Sequence, residues 1–235
     1  MAVLEFDKVG ERLYETGVDH GVLYPYDKPN KKYGNGVVWN GLTSVQASPS
    51  GAEPSPIYAD NIKYLTLMSA EEFGGTIEAY TYPDEFAECD GSVVLSGVSI
   101  GQQSRSMFGF SYRTRIGNDV EGDRLGHKIH VVYGALAQPS ESSYATVNES
   151  PEAVTFSWTF STTPVSFNAD GEFKNLRPVA RLTFDSTKIS ESNWAKLEKT
   201  LYGSDSTEAT LPAPDELLKV VGITSATESA ASTNQ

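Results

Sequence analysis

The stretch EAYTYPDEFAECDG, residues 78 to 91, gathers five carboxylates around the only cysteine of the chain. Paired carboxylates do acid–base work, and mixed Asp, Glu and Cys groups bind cations. The spacing favours neither. Phe86 stands where a calcium loop needs an oxygen ligand. Carboxylates beside Cys89 raise a thiol's pKa, the wrong direction for a nucleophile, and no histidine lies close in sequence. A glycosidase pair brought together from distant strands stays formally open.

Two further patterns suggest chemistry. Gly97-Val98-Ser99-Ile100-Gly101 matches the GxSxG nucleophile elbow, with Asp119, Asp123, His127 and His130 following in hydrolase order. An elbow needs a strand before it and a helix after it inside a parallel sheet. Here the residues that follow alternate as a strand, and no βα repeat exists, so a β turn is the better reading. His127 and His130 resemble a metal pair, but KIHVVYGAL reads as strand. Ligands sharing a strand face sit at i and i+2, so this pair points to opposite faces. Asn148-Glu149-Ser150 is a formal glycosylation acceptor on a chain with no sign of a secretory route. We expect no catalytic residue, no metal and no cofactor.

The elements that carry these residues follow a period of two. Val154, Phe156, Trp158 and Phe160 point one way, while Thr155, Ser157, Thr159 and Ser161 make a hydroxyl-lined face. Phe108, Phe110 and Tyr112 alternate with Gly109, Ser111, Arg113 and Arg115. Ile129, Val131 and Tyr133 form another apolar face, and Val37 and Trp39 lie on a strand over 36–47. Further strands are expected at 62–68, 75–82 and 178–184. One helix is predicted, SESNWAKLEKTLYG (190–203), capped by Ser190, stapled by Ile189 and Trp194, and striped by Trp194, Leu197 and Leu201. A short helix or turn capped by Asp84 is expected over 84–89. The fold class is mainly β: an antiparallel β-sandwich or open barrel with one flanking α-helix. Segments 24–36, 48–56 and 117–126 read as loops, the last too long for a tight hairpin.

Composition narrows the functional classes. The chain has 235 residues, 39% of them hydrophobic, enough for a packed core, and a formal net charge of −13. Affinity for phosphates comes from clustered Lys and Arg. Only Lys31 and Lys32 are adjacent here, which argues against a sequence-reading DNA binder. No run reaches the roughly 18 apolar residues of a membrane span. MAVLEFDKVGER lacks the flank of a secretory signal, and one cysteine suits a reducing cytoplasm.

Several segments together resemble the major tail protein family, the tail tube proteins of long-tailed, siphophage-type bacteriophages. They are GVDHGVLYP (17–25), VVWNGLTSV (37–45), SGAEPSPIYADNIKYL (50–65), EAYTYPDEFAECDG (78–91), FGFSYRTRIGND (108–119), KIHVVYGALA (128–137) and ESPEAVTFSW (149–158). The likeness covers most of residues 10–203. His20 departs from it, since Arg is more usual there. No segment of the chain resembles the C-terminal immunoglobulin-like domain of some tail tube proteins.

The near absence of bulky apolar residues predicts a disordered tail (224–235). The resemblance implies an N-terminal arm (1–16), a tail-tube β domain (17–203) and a C-terminal extension (204–223). It implies a structural subunit of the virion, assembled in the host cytoplasm as stacked hexameric rings through which DNA passes without being held. Its partners would be copies of itself and the tape measure, terminator and distal tail proteins, with no membrane. Inter-ring contacts are expected from Arg113, Arg115, Asn118, Asp119, Glu121, Asp123 and Arg124, in and beside a loop that orders on assembly. Glu78, mid-strand, is the candidate for the lumen or for an interface. Competing classes are a carbohydrate-binding β-sandwich module, which stays monomeric and binds a glycan, and a hydrolase using Ser99.

Overall fold

Apolar alternation is spent on two buried layers, one on each side of a single large sheet. The computed structural model describes residues 4–147 and 153–224. Strand makes up 45% against 12% helix, and the large sheet is antiparallel, so the chain is mainly β as its periodicity predicts. In chain order the strands are β1 (Tyr14–Asp27), β2 (Lys32–Tyr33), β3 (Val37–Trp39), β4 (Leu42–Ala47), β5 (Ser50–Gly51), β6 (Pro54–Ala59), β7 (Ile62–Met68), β8 (Glu71–Glu72) and β9 (Gly74–Ala79). After helix α1 (Ala87–Asp90) come β10 (Val93–Leu95), β11 (Val98–Ile100), β12 (Phe108–Asn118), β13 (Gly122–Ala137), β14 (Phe156–Thr162) and β15 (Arg181–Asp185). Helices α2 (Glu191–Tyr202) and α3 (Pro214–Val220) follow.

The main sheet runs β2-β1-β12-β13-β14-β9-β4, with β15 on β13 and β3 on β1. β3 pairs with β1 while β4 pairs with β9, so segment 37–47 touches both ends of the path. Its two halves are separated at Gly41, whose φ of 75° suits a glycine. The expected single strand is thus split in two. The sheet rolls into an open barrel.

Inside the roll lie Leu23, Trp39, Phe86, Phe108, Phe110, Tyr112, Trp158 and Phe160. Trp39 is the hub: its ring meets Phe86 at 4.6 Å, Phe110 at 5.4 Å and Trp158 at 5.6 Å. Its indole N–H donates to the Thr81 carbonyl at 2.9 Å, which satisfies the one polar atom it buries. Outside the roll, Val22, Tyr24, Ile129, Val131 and Tyr133 pack beneath Leu197, Leu201 and Leu217 of the helices. The parity of β13 inverts at Gly134, where φ is 59°. Before it Val132 faces inward; after it Ala135 and Ala137 do. One left-handed residue lets the strand leave β15 and take up β14, as a bulge at a barrel corner does.

Segment 78–91 is a corner. β9 ends at Ala79, a 3₁₀ turn occupies Asp84–Phe86, α1 follows, and Gly91 closes it at φ 79°. Pro83 takes the N-cap position and no side chain caps the turn, so Asp84 does not play the expected part. Phe86 and Cys89 are buried, Tyr82 sits edge-on to Trp158, and Tyr80 is exposed rather than packed.

α2 keeps its predicted bounds, with Leu197 and Leu201 fully buried and Gly203 at its end. Ser190 is at the N-cap, but its hydroxyl faces that of Ser192 and caps no backbone N–H. Segment 24–36 is a hairpin of β1 and β2, and 48–56 contains β5 and the start of β6, so neither is the expected loop. Nor is 117–126 a long loop. β12 and β13 pair down to Asn118 and Gly122, which leaves a three-residue turn. Asn118 makes this possible: its buried side-chain oxygen accepts from the N–H groups of Val120 and Glu121. The glycosylation acceptor 148–150, and the expected disordered tail beyond Thr224, lie outside the described residues.

Candidate functional site

β4 and β9 run outward beyond the barrel as one long hairpin. β5 pairs β8, β6 pairs β7, and the turn at Asp60-Asn61 has both residues at positive φ, 51° and 63°. A turn of that hand matches the twist of the flanking strands. All seven residues of β7 are exposed. Tyr58, Ile62, Tyr64 and Met68 each leave more than 60% of their surface to solvent. Residues 62, 64, 66 and 68 point to one face, and 63, 65 and 67 to the other. Apolar side chains therefore occur on both.

β10 and β11 form a second two-stranded hairpin, turning at Ser96 (φ 48°) and Gly97 (φ 84°). Val94, Leu95, Val98 and Ile100 are exposed on it. Isolated two-stranded hairpins are marginal in water, and contiguous exposed apolar surface marks an interaction site.

A third surface is polar. On β9 the side chains of Thr76 and Glu78 face away from the inner cluster, beside Ser44 and Gln46 of β4 and Ser157 and Thr159 of β14. Glu78 is half-buried there and accepts a hydrogen bond from the Ser44 hydroxyl at 2.8 Å. The hydroxyl-lined face read from the alternation of 155–161 is thus part of a three-stranded wall.

Of the expected inter-ring residues, Arg113, Arg115, Asn118, Asp119 and Asp123 have side-chain partners within the chain. Arg113 grips Asp19 with two bonds, Nε to Oδ1 at 2.7 Å and Nη2 to Oδ2 at 3.1 Å. Burial alone would raise the Asp19 pKa, but the Arg113 guanidinium outweighs it and holds the carboxyl below its usual range. Arg115 reaches both Asp19 and Asp123. Asp119 accepts from the Gly10 N–H and pairs with Arg12, while Asn118 donates to the Gly10 carbonyl, which pins the N-terminal segment to this turn. Glu121 is exposed, and Arg124 is exposed and unpaired among the described residues.

The candidates for chemistry stay apart. Ser99 lies on exposed β11, after a turn rather than before a helix. His130 faces the inner side of β13, stacked on Tyr112 and bonded to Thr114 and Glu15; burial lowers its pKa. His127 faces the other side, with its Nδ1 buried and unpartnered. No metal-sized group of His, Cys, Asp and Glu exists among the described residues. Burial first, then Glu88 and Asp90, pushes the Cys89 thiol up to about 12, so it stays protonated. A groove of about 820 Å³ beside β2 is lined by Tyr26, Tyr33 and Leu211, yet the Tyr33 hydroxyl is already bound to the Gly134 N–H.

Sequence reasoning placed the strand 62–68, which is β7, and a β turn at 97–101, but passed over the hairpins to which they belong and the partner strand β6. The available signals were Asp60-Asn61 and Ser96-Gly97, polar pairs between short apolar runs. A scan against protein-family models matches none of them, and a search of curated proteins finds no match.

Proposed function

We propose that the chain is a structural subunit that polymerises: a major tail tube protein whose copies stack as rings, hexameric by family analogy, into the hollow tail of a long-tailed bacteriophage. The observation that carries this reading is the 50–72 arm, an extension with no core of its own and apolar side chains on both faces. Such an arm is stable and soluble only when something covers it. Another copy is a cover always present at the same concentration.

The polar wall around Glu78 suits the bore, because a surface of hydroxyls and carboxylates gives passing DNA no counterion-releasing contacts. In this reading the chain has no enzymatic activity, and it assembles in the host cytoplasm into the virion. Its partners are its own copies and the proteins that cap and measure the tail. Sedimentation and negative-stain electron microscopy over a range of concentration test it. Rings or tubes of uniform diameter are expected. A species that stays monomeric throughout and binds a glycan would put the carbohydrate-binding module in its place, and ester hydrolysis lost in Ser99→Ala would put the hydrolase there.

A further inference from the structure

We propose that the arm tip (54–68) of one copy docks against the 93–100 hairpin of a second copy, a head-to-tail contact between two different surfaces. This rests on the self-assembly reading and adds which surfaces meet.

Three observations point to the pairing. Both are two-stranded sheets with open backbone edges, and edge-to-edge they make a four-stranded sheet with apolar faces. Both are electrically quiet on a chain of net charge −13: the arm tip holds one acid, Asp60, and one base, Lys63, and residues 93–100 hold none. These are places where two copies approach without the repulsion that acts over the rest of the surface. Both also expose large apolar side chains, seven on 54–68 and five on 93–100, which the single chain leaves in water.

Whether the contact joins like or unlike surfaces matters. An arm meeting an arm would close as a dimer and leave 93–100 bare. An arm meeting a hairpin leaves one free arm and one free hairpin on every pair, so growth continues.

Two variants separate these cases. Tyr64→Ser with Leu67→Ser disables the arm, and Val94→Asp with Val98→Asp disables the hairpin. Neither pair touches the inner cluster, so the fluorescence of Trp39 and Trp158 should report an unchanged fold. Each variant alone should be monomeric, and an equimolar mixture should give a one-to-one heterodimer that grows no further. If the wild type never associates, the self-assembly reading fails as a whole. Should the wild type assemble while either variant does so equally well, or while the mixture forms no heterodimer, the pairing alone is overturned.

Discussion

One hairpin, residues 42–79, lives in two environments. At its base, β9 buries alternate residues, with Ile77 and Ala79 inward and Thr76 and Glu78 outward. At its tip, β7 buries none. Backbone pairing is the same in both parts; the difference is a second layer. Trp39, Phe86 and Trp158 lie against the base, and none of the described residues covers β7 at the tip. Hydrogen-bonded pairing therefore sets the shape of this hairpin, while packing decides which part contributes to the stability of the single chain.

Trp39→Ala should show the largest effect, a loss of roughly 3–5 kcal/mol as for other large buried aromatics. It removes three ring contacts and leaves the Thr81 carbonyl without its donor. Urea unfolding followed by far-UV circular dichroism measures it. A loss below about 1 kcal/mol would break the comparison at its strong end.

The Asp19–Arg113 pair lies between the extremes, partly exposed yet bidentate. Asp19→Asn should cost about 1.5–3 kcal/mol at neutral pH, the range for a hydrogen bond to a charged group. The pH dependence has a definite sign. The Asp19 carboxyl is held below its ordinary value near 4, so its contribution is complete above that value and disappears as pH falls through the lower, folded one. His130 acts in a higher window: burial favours its neutral form, so that contribution is full above about 6.5 and declines below it. Acid titration of wild-type stability should fall in two stages. Asp19→Asn should weaken the second and leave the first; Glu15, also lowered because Lys128 and Thr114 outweigh its burial, keeps part of the second in place.

How much of this could be read from the chain depends on distance along it. Parity within a strand is local, so the buried faces of 108–112, 129–133 and 156–160 were legible, as was the stripe on α2. Barrel closure was not, because it depends on Gly41 letting one segment pair with β1 and β9 in turn. Arg113 and Asp19 are 94 residues apart, so the same arginine reads as free for a neighbour until the fold brings its partner in. Residues 117–126 looked like a loop because they are polar. They are polar because the ends of β12 and β13 stand in water, and Asn118 closes the turn from a buried position. The first strand of the arm was hidden for a related reason: Pro54, Ser55 and Pro56 have the composition of a loop, yet on a strand that no second layer covers they meet no packing demand.

At the weak end, Tyr64→Ser with Leu67→Ser should change the stability of the monomer by no more than about 0.5 kcal/mol, as surface substitutions do. Hydrogen exchange gives the sharper measurement. In the monomer, amides of 54–68 should exchange far faster than those of β12, and on assembly they should slow markedly. Amides of the tip protected in the monomer as well as those of β12 are would mean that the two regions do not differ.

Glu78→Lys should also have a small effect on the fold. Glu78 sits at the base of the hairpin but on its outer face, opposite Ser44 and Ser157, so a lysine there displaces no core atom and loses one hydrogen bond. The cost should stay near 0.5–1 kcal/mol. If the wall lines a bore, the functional effect is far larger. A lysine repeated on every copy turns a surface without phosphate contacts into one that releases counterions, and the attraction weakens steeply with salt. The range of the effect is a Debye length, about 8 to 10 Å at physiological ionic strength. Assembled Glu78→Lys tubes should therefore form normally, yet retain DNA at low salt and release it as salt rises, while wild-type tubes retain none. Loss of assembly in this variant would place the wall at a subunit contact instead. Normal assembly with no retention at any salt would remove the wall from the path of DNA.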